Sequence, residues 1–207
     1  MARYRRANPL ALAVLGLLQE RSMHPYEMAT TLRQRHKEDS IKLNYGSLYT
    51  VVESLEKHGF VEALEARREG RRPERTVYGL TAEGRAELHD WLRELIGTPV
   101  KEYPRFEAGL SLVGLLAPGA VAELLRGRVS ALDAQAVALR ETVSWLRGQG
   151  LPELTWVELD YRVAMLDAER AWVRRFAASV EEGAVGGMEA WRAWHENGAE
   201  PGGLGPG

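Results

Sequence analysis

Residues 44–59 read N-Y-G-S-L-Y-T-V-V-E-S-L-E-K-H-G, and their spacing predicts a helix with two unlike faces. Leu48, Val52 and Leu55 recur at i, i+4 and i+7, the signature of one buried stripe. The opposite side offers Ser47, Tyr49, Thr50, Ser54 and Lys57, hydroxyls with a cation near the C-terminal end instead of a Glu/Lys lattice. Such groups suit phosphate oxygens and base edges, although an ordinary amphipathic helix has the same stripe. Asn44 is placed to cap the first turn and Gly59 to supply the left-handed residue that ends the helix.

The residues after Gly59 decide between those readings. The period changes from 3.6 to 2: residues 60–65 alternate as a strand and residues 76–80, T-V-Y-G-L, do so again. Between them lies A-R-R-E-G-R-R-P-E-R, with Arg67, Arg68, Arg71, Arg72 and Arg75 against two glutamates, and with Gly70 and Pro73 as turn signals. The pattern is a hairpin with a cationic tip, which can neutralise phosphates or remain solvated. Upstream, Asn8 and Pro9 open a first, nearly all-apolar helix over Pro9–Glu20. A second begins near Pro25, with Tyr26, Met28, Ala29 and Leu32 expected on its inner face. Three short helices succeeded by strand, tip and strand are the winged helix-turn-helix order.

At this point the residues resemble a known family. The tract Y-G-S-L-Y-T-V-V-E-S-L-E-K-H-G-F-V-E, then G-R-R-P-E-R-T-V-Y-G-L-T-A-E-G-R, with L-G-L-L in the first helix and H-P-Y-E in the second, is similar to the PadR family of bacterial transcriptional regulators. The resemblance covers roughly residues 8–96. It departs at His24-Pro25, where the family commonly has a glycine directly before the tyrosine. It implies a homodimer that binds an inverted-repeat operator in double-stranded DNA, usually as a repressor. Ser47, Tyr49 and Thr50 would face the major groove, and the wing arginines the backbone or minor groove. The candidate DNA-binding set is Asn44, Tyr45, Ser47, Tyr49, Thr50 and Lys57, with Arg67, Arg68, Arg71, Arg72 and Arg75.

Composition fits without deciding the matter. A chain of 207 residues, 45% hydrophobic, has enough apolar material for a real core. The net charge of −2 conceals an asymmetry: residues 1–98 carry 16 Lys and Arg against 14 Asp and Glu, and the remainder 11 against 15. That excess is too small to establish nucleic-acid binding by bulk charge, so the argument rests on where the arginines sit. With no cysteine there is no disulfide, thiolate nucleophile or cysteine metal site, in keeping with a cytoplasmic protein. The basic start M-A-R-Y-R-R before residues 10–18 looks superficially like a leader. Gln19, Glu20 and Arg21 end the apolar run too early, so Arg3, Tyr4, Arg5 and Arg6 read as a short basic arm before a core helix, either touching a phosphate backbone or simply solvated.

A helix over residues 81–96, capped by Thr81, carries Leu88, Trp91, Leu92 and Leu95 as its stripe, and Gly97-Thr98-Pro99 closes it. Residues 1–98 are therefore expected to form a winged-helix domain. Residues 99–183 are expected to form an all-α antiparallel dimerisation domain, and residues 184–207 a flexible tail within which 188–195 forms a short amphipathic helix. In the second domain a helix over 105–116 has Phe106, Leu110 and Val113 on one side. A long helix from Pro118 to about Arg147 has Val121, Leu125, Arg128, Leu132, Gln135, Leu139, Thr142 and Leu146 in series. Its successor to about Glu182 repeats Trp156, Leu159, Val163, Leu166, Arg170, Val173, Ala177 and Val180 as a coiled-coil seam. Helices of about thirty residues, roughly 45 Å long, need a partner. A C-terminal helical dimerisation domain is also what the longer proteins of the resembled family carry.

No catalytic constellation emerges. The five histidines are scattered, none in a metal-ligand pair, and no glycine-rich loop sits between strand and helix, so neither enzyme nor cofactor is expected. The family resemblance allows an aromatic small-molecule effector between the helices of the dimer, with Trp145, Trp156 and Trp172 as candidate walls beside Tyr161 and Phe176. At near-heptad spacing such residues also suit plain core packing. The fold expected is thus mostly α, a winged helix-turn-helix domain with a two-stranded wing and then helices. The alternative function is a winged-helix protein-interaction module that binds no DNA.

Overall fold

The structure, a computed structural model, describes residues 4, 6, 8–35, 37, 41, 45–67 and 75–197, with the backbone alone at 45, 65–67, 75 and 197. It divides into two compact units, Met1–Lys101 and Glu102–Gly207. In the first, α1 (Pro9–Glu20) begins as its sequence dictates: the Asn8 side chain accepts from the Leu10 amide at 3.0 Å and Pro9 needs no donor partner there. Its apolar circumference is accounted for by burial of Leu10, Ala11, Val14, Leu15, Leu17 and Leu18. The second helix, α2 (Pro25–Gln34), is capped by His24, whose Nδ1 accepts from the Tyr26 amide at 3.0 Å. Its buried stripe is Pro25, Met28, Ala29 and Leu32. Tyr26, expected on the inner face, is instead 56% exposed: a stripe that starts on Pro25 leaves the next residue about 100° away from it.

Helix α3 (Tyr45–Lys57) buries Leu48, Val51, Val52 and Leu55 against that core. It stops where the Gly59 amide bonds to the Glu56 carbonyl at 2.8 Å and the Phe60 amide to that of Leu55 at 3.0 Å, with Gly59 at φ 75°. This paired closure needs a left-handed residue, which glycine adopts without a Cβ clash. Strands β1 (Val61–Arg67) and β2 (Arg75–Leu80) then pair antiparallel from Val61↔Leu80 to Arg67↔Arg75, with a bulge between Ala63 and Glu65. Met23 adds a short third edge, its amide and carbonyl both bonded to Tyr78. Thr81 caps α4 (Ala82–Gly97) by accepting from the Gly84 amide at 2.9 Å, and its own hydroxyl donates to the Gly59 carbonyl at 2.7 Å. The end of α3 and the start of α4 are thereby fastened together.

Besides Tyr26, two further expectations for this unit need correcting. The N-terminal arm is not solvated at its described residues. The Tyr4 ring meets those of His58, Phe60 and Trp91 edge-on at 5.0, 5.4 and 6.0 Å. The Arg6 guanidinium forks onto Glu87 at 2.7 and 2.9 Å and reaches Glu94 at 2.6 Å. Arg3 and Arg5 lie outside the described residues. In α4 only Leu88 and Trp91 of the expected stripe are buried; Leu92 and Leu95 are exposed, as is Ile96.

The second unit begins with α5 (Arg105–Leu110), which stops short of the single helix expected over 105–116 and continues as a 3-10 turn at Val113–Leu115. Gly109 and Gly114 weaken helix in this segment, and the Ser111 hydroxyl bonds back to the Ala108 carbonyl at 2.8 Å. Helices α6 (Pro118–Gly148) and α7 (Val157–Glu181) form the antiparallel hairpin. Ion pairs cross it, and all but that of Arg128 with Glu169 run in opposed order: Arg126 with Glu181, Asp133 with Arg170 and Arg174, and Arg140 with Asp167. Along α6 the seam buries Ala136 and Val143, not the expected Gln135 and Thr142. A straight helix drifts about 20° per heptad from a strict 3.5 repeat, and here the drift exchanges two polar residues for apolar ones. Finally, α8 (Met188–Asn197) packs Met188 and Trp191 into a core shared with Val121, Leu125, Val173 and Val180. Among the described residues no helix is long and apolar enough to cross a membrane, and no group of acidic and histidine side chains is arranged to hold a metal ion.

Candidate nucleic-acid interface

The core-facing stripe of α3 fixes what its other side displays. Ser47, Thr50 and Lys57 are exposed, and Tyr49 is 45% exposed. Thr50 donates its hydroxyl to the Gly46 carbonyl at 3.2 Å, which leaves the oxygen lone pairs and the methyl group outward. Ser54 is half-buried, and its carbonyl is occupied by the His58 amide at 3.2 Å and by the His58 ring Nδ1 at 2.7 Å. Lys57 stands in the last turn, where a cation opposes the carbonyl end of the helix dipole. Asn44 lies outside the described residues, and of Tyr45 only the backbone, the first residue of α3, is described.

The wing is anchored where the sequence places it. Arg67 and Arg75 are opposite one another as the last pair of the ladder, so the two cationic positions flank the mouth of the tip. Arg68, Arg71 and Arg72 lie outside the described residues. The bulge after Ala63 turns the strand just before these positions, a common way of re-aiming the end of a hairpin.

One neighbour of this face is missing from the sequence-based set. The His24 ring lies 6.5 Å from that of Tyr49, at 73°, so the capped N-terminus of α2 sits beside the outward side of α3. No short-range signal in the sequence announces this contact, which arises from the packing of α2 against α3.

The three tryptophans named as effector walls do not converge. Trp156 is 4% exposed, belongs to the core patch of Leu139, Val143, Leu146 and Leu159, and donates to the Leu151 carbonyl at 3.3 Å. Trp172 is sixteen residues further on, about 24 Å along the helix, where it stacks on Phe176 at 5.1 Å. Trp145 is 56% exposed.

A helix-turn-helix with a two-stranded wing, joined to an all-helical unit, defines a winged-helix protein of the DNA-binding class. Residues 14–90 match the Transcriptional regulator PadR-like family. The fold of the chain is similar to that of Bacillus subtilis PadR in complex with operator DNA, at 20% identity over 84% of this chain and 99% of that one, with a TM-score of 0.67. The same protein in complex with p-coumaric acid matches at 18% identity over 87% and 99%, with a TM-score of 0.65. The Vibrio cholerae virulence activator AphA matches at 15% identity over 84% and 98%, with a TM-score of 0.64. At these identities the likeness is one of fold. No curated protein matches the chain.

Proposed function

We propose that this chain is a dimeric transcriptional regulator acting in the cytoplasm, whose α3 helices enter successive major grooves of an inverted-repeat operator. The arginine-rich tip between β1 and β2 holds the flanking backbone. The observation that carries the reading is the outward set Ser47, Tyr49, Thr50 and Lys57 on a helix locked from behind by Leu48, Val51, Val52 and Leu55. A rigid helix presents hydroxyls and a cation at fixed spacing, as direct reading of base edges requires. The operator complex of Bacillus subtilis PadR supports the DNA partner.

Dimerisation has its own support. The two long helices cover one another, yet Leu124, Val137, Tyr161 and Met165 remain exposed on the hairpin. These side chains are available to a partner, and a two-fold copy is the commonest one. The regulatory sign we propose is repression by occluding a promoter, and an aromatic effector would act by favouring a dimer whose α3 helices are wrongly spaced for DNA. The p-coumaric acid complex of Bacillus subtilis PadR supports such an effector, and the naming of AphA as an activator makes the sign a point for experiment.

The test is selection of bound duplexes from a random pool by the purified protein, with binding repeated over a salt series. An enriched inverted repeat with a steep salt slope is expected. Absence of binding at every salt concentration would replace this reading with a protein-interaction module.

A further inference from the structure

The helical unit contains a cavity of about 410 Å³ between the turn after α5, the end of α7 and the face of α8. Its walls are Phe176 from α7, Trp191 and Trp194 from α8, and Leu112 and Leu115 from the turn. Ser111 contributes one hydroxyl, and no acidic, basic or histidine side chain is on the lining. The cavity is held in shape from both sides. Trp191 Nε1 donates to the Leu116 carbonyl at 2.9 Å, and His195 Nε2, as its N–H tautomer, donates to the Gly114 carbonyl at 3.0 Å. Opposite these ties, α7 closes with the Gly183 amide on the Val180 carbonyl and the Ala184 amide on that of Ser179, and Gly183 at φ 71° swings the chain toward α8. The helix that forms the roof is therefore strapped to the turn that forms the floor, and the space between them remains open.

We propose that this cavity binds an uncharged, planar aromatic molecule of one or two rings, and that this molecule is the effector; the second half of the statement rests on the regulator reading. The volume falls in the range of small-molecule sites, which are mostly apolar with a few placed polar groups. Indole faces at Trp191 and Trp194 and the Phe176 ring offer offset or edge-on stacking to a flat ligand. The Ser111 oxygen donates its hydrogen to the Ala108 carbonyl and so faces a ligand as an acceptor for one O–H or N–H. The absence of any charged side chain excludes a carboxylate, which would enter without a partner. The ligand class thus differs from p-coumarate, the ionised form of the acid bound by Bacillus subtilis PadR. The site also lies apart from Trp145 and Trp156. Trp172 stands one ring away, stacked on Phe176, and gives the cavity a fluorescent reporter.

The experiment titrates the full chain with 1-naphthol, a neutral, planar and fluorescent two-ring probe, and in parallel with p-coumarate. Tryptophan quenching and probe fluorescence are followed in the wild type and in Trp194→Ala and Gly186→Trp. A Cβ at Gly186 meets open space, so the second variant adds bulk at the lining without displacing the core. Saturable binding at one probe per chain is expected, weakened about tenfold or more in each variant, with p-coumarate binding far more weakly and operator affinity falling as the probe saturates. No saturable binding to the wild type, or equal binding to all three proteins, overturns the site. A dimer lost in Trp194→Ala shows that a second copy covers the cavity and overturns it as well. Probe binding that leaves duplex affinity unchanged overturns the effector role. Probe binding abolished by both variants, in a protein that binds no duplex, upholds the site and removes the regulator reading alone.

Discussion

Gly84 lies so close to Phe60 that a Cβ added to it would stand 2.0 Å from the Phe60 carbonyl oxygen. The glycine of the L-T-A-E-G-R segment is therefore a point of contact between α4 and the chain leaving α3, made where the Thr81 amide also donates to the Phe60 carbonyl at 3.1 Å. Alanine favours helix by about 1 kcal/mol over glycine. Here the obstacle is backbone, which cannot rotate aside, and relief would also disturb the Thr81 cap, itself worth about 1 kcal/mol. Gly84→Ala is expected to cost about 2 kcal/mol net, measured by urea unfolding; a more stable variant would mean that the two segments are not held together.

The docked arm makes a second prediction. Tyr4 fits among His58, Phe60 and Trp91, and the Arg6 and Glu87 side chains are each 17% exposed. Tyr4→Ala is expected to destabilise the chain by about 2 kcal/mol, less than a fully buried aromatic because the ring is half-covered. Arg6→Ala should cost about 1 kcal/mol, since a partly buried Glu87 loses its fork. A solvated arm would give changes within about 0.5 kcal/mol for both, so thermal or urea denaturation of the two variants separates the cases.

The contrast between this arm and α3 shows what the sequence made legible. The winged-helix order, the Thr81 cap, the Gly59 stop and the inner stripe of α3 all come from short-range rules, since period, cap and turn residues act within about four positions. Arg6 and Glu87 are 81 residues apart, and nothing near either one announces the other. The same holds for Trp191 and the Leu116 carbonyl, 75 residues apart. The seam of α6 was legible in kind but not in phase, because a strict heptad and a straight helix part company over thirty residues and only the partner helix decides which of Gln135 and Ala136 is covered. Of the candidate interface, the spacing of residues 47–57 was enough to turn Ser47, Tyr49, Thr50 and Lys57 outward, while Ser54, read with them, is half-buried. His24 joined it only through the fold, which brings the α2 cap against Tyr49.

On the proposed function, Tyr49→Ala should weaken binding to the selected operator by about 1–3 kcal/mol, the worth of a good base-directed contact. Leu48 and Val52 hold the helix from the other side, so fold and dimer should persist. Operator titration beside sedimentation of the free protein is the measurement. Unchanged affinity would take α3 out of the reading role.

The wing should act differently, through charge and not sequence. Arg71→Ala combined with Arg72→Ala is expected to weaken specific and random duplexes alike. The slope of log affinity against log salt should fall by about 0.9 for each phosphate that is no longer neutralised. A change confined to the specific operator would instead make these arginines base readers, and no change would leave them solvated.

The ion pairs across α6 and α7 give the last prediction, and its sign is set by two carboxylates. Hydrogen bonds from Arg140 hold Asp167 below the usual carboxylate range, against a smaller opposing effect of burial, with the charges of Arg140 and Arg170 helping. At Asp133 burial is the largest influence and pushes upward, but hydrogen bonds from Arg170 and Arg174, together with their charges, outweigh it and leave that carboxyl lowered as well. A carboxylate that ionises more readily folded than unfolded adds stability above its unfolded pKa, about 3.9 for aspartate. That contribution is lost as the pH falls through the lowered folded value. The hairpin should therefore loosen as the pH drops below about 4, and the loss should be shallower in Asp133→Asn and Asp167→Asn. Both groups are partly exposed, so strong salt should blunt the effect. Urea midpoints of the three proteins between neutral pH and the acid range decide it. Parallel pH profiles would mean that these pairs register the helices without stabilising them.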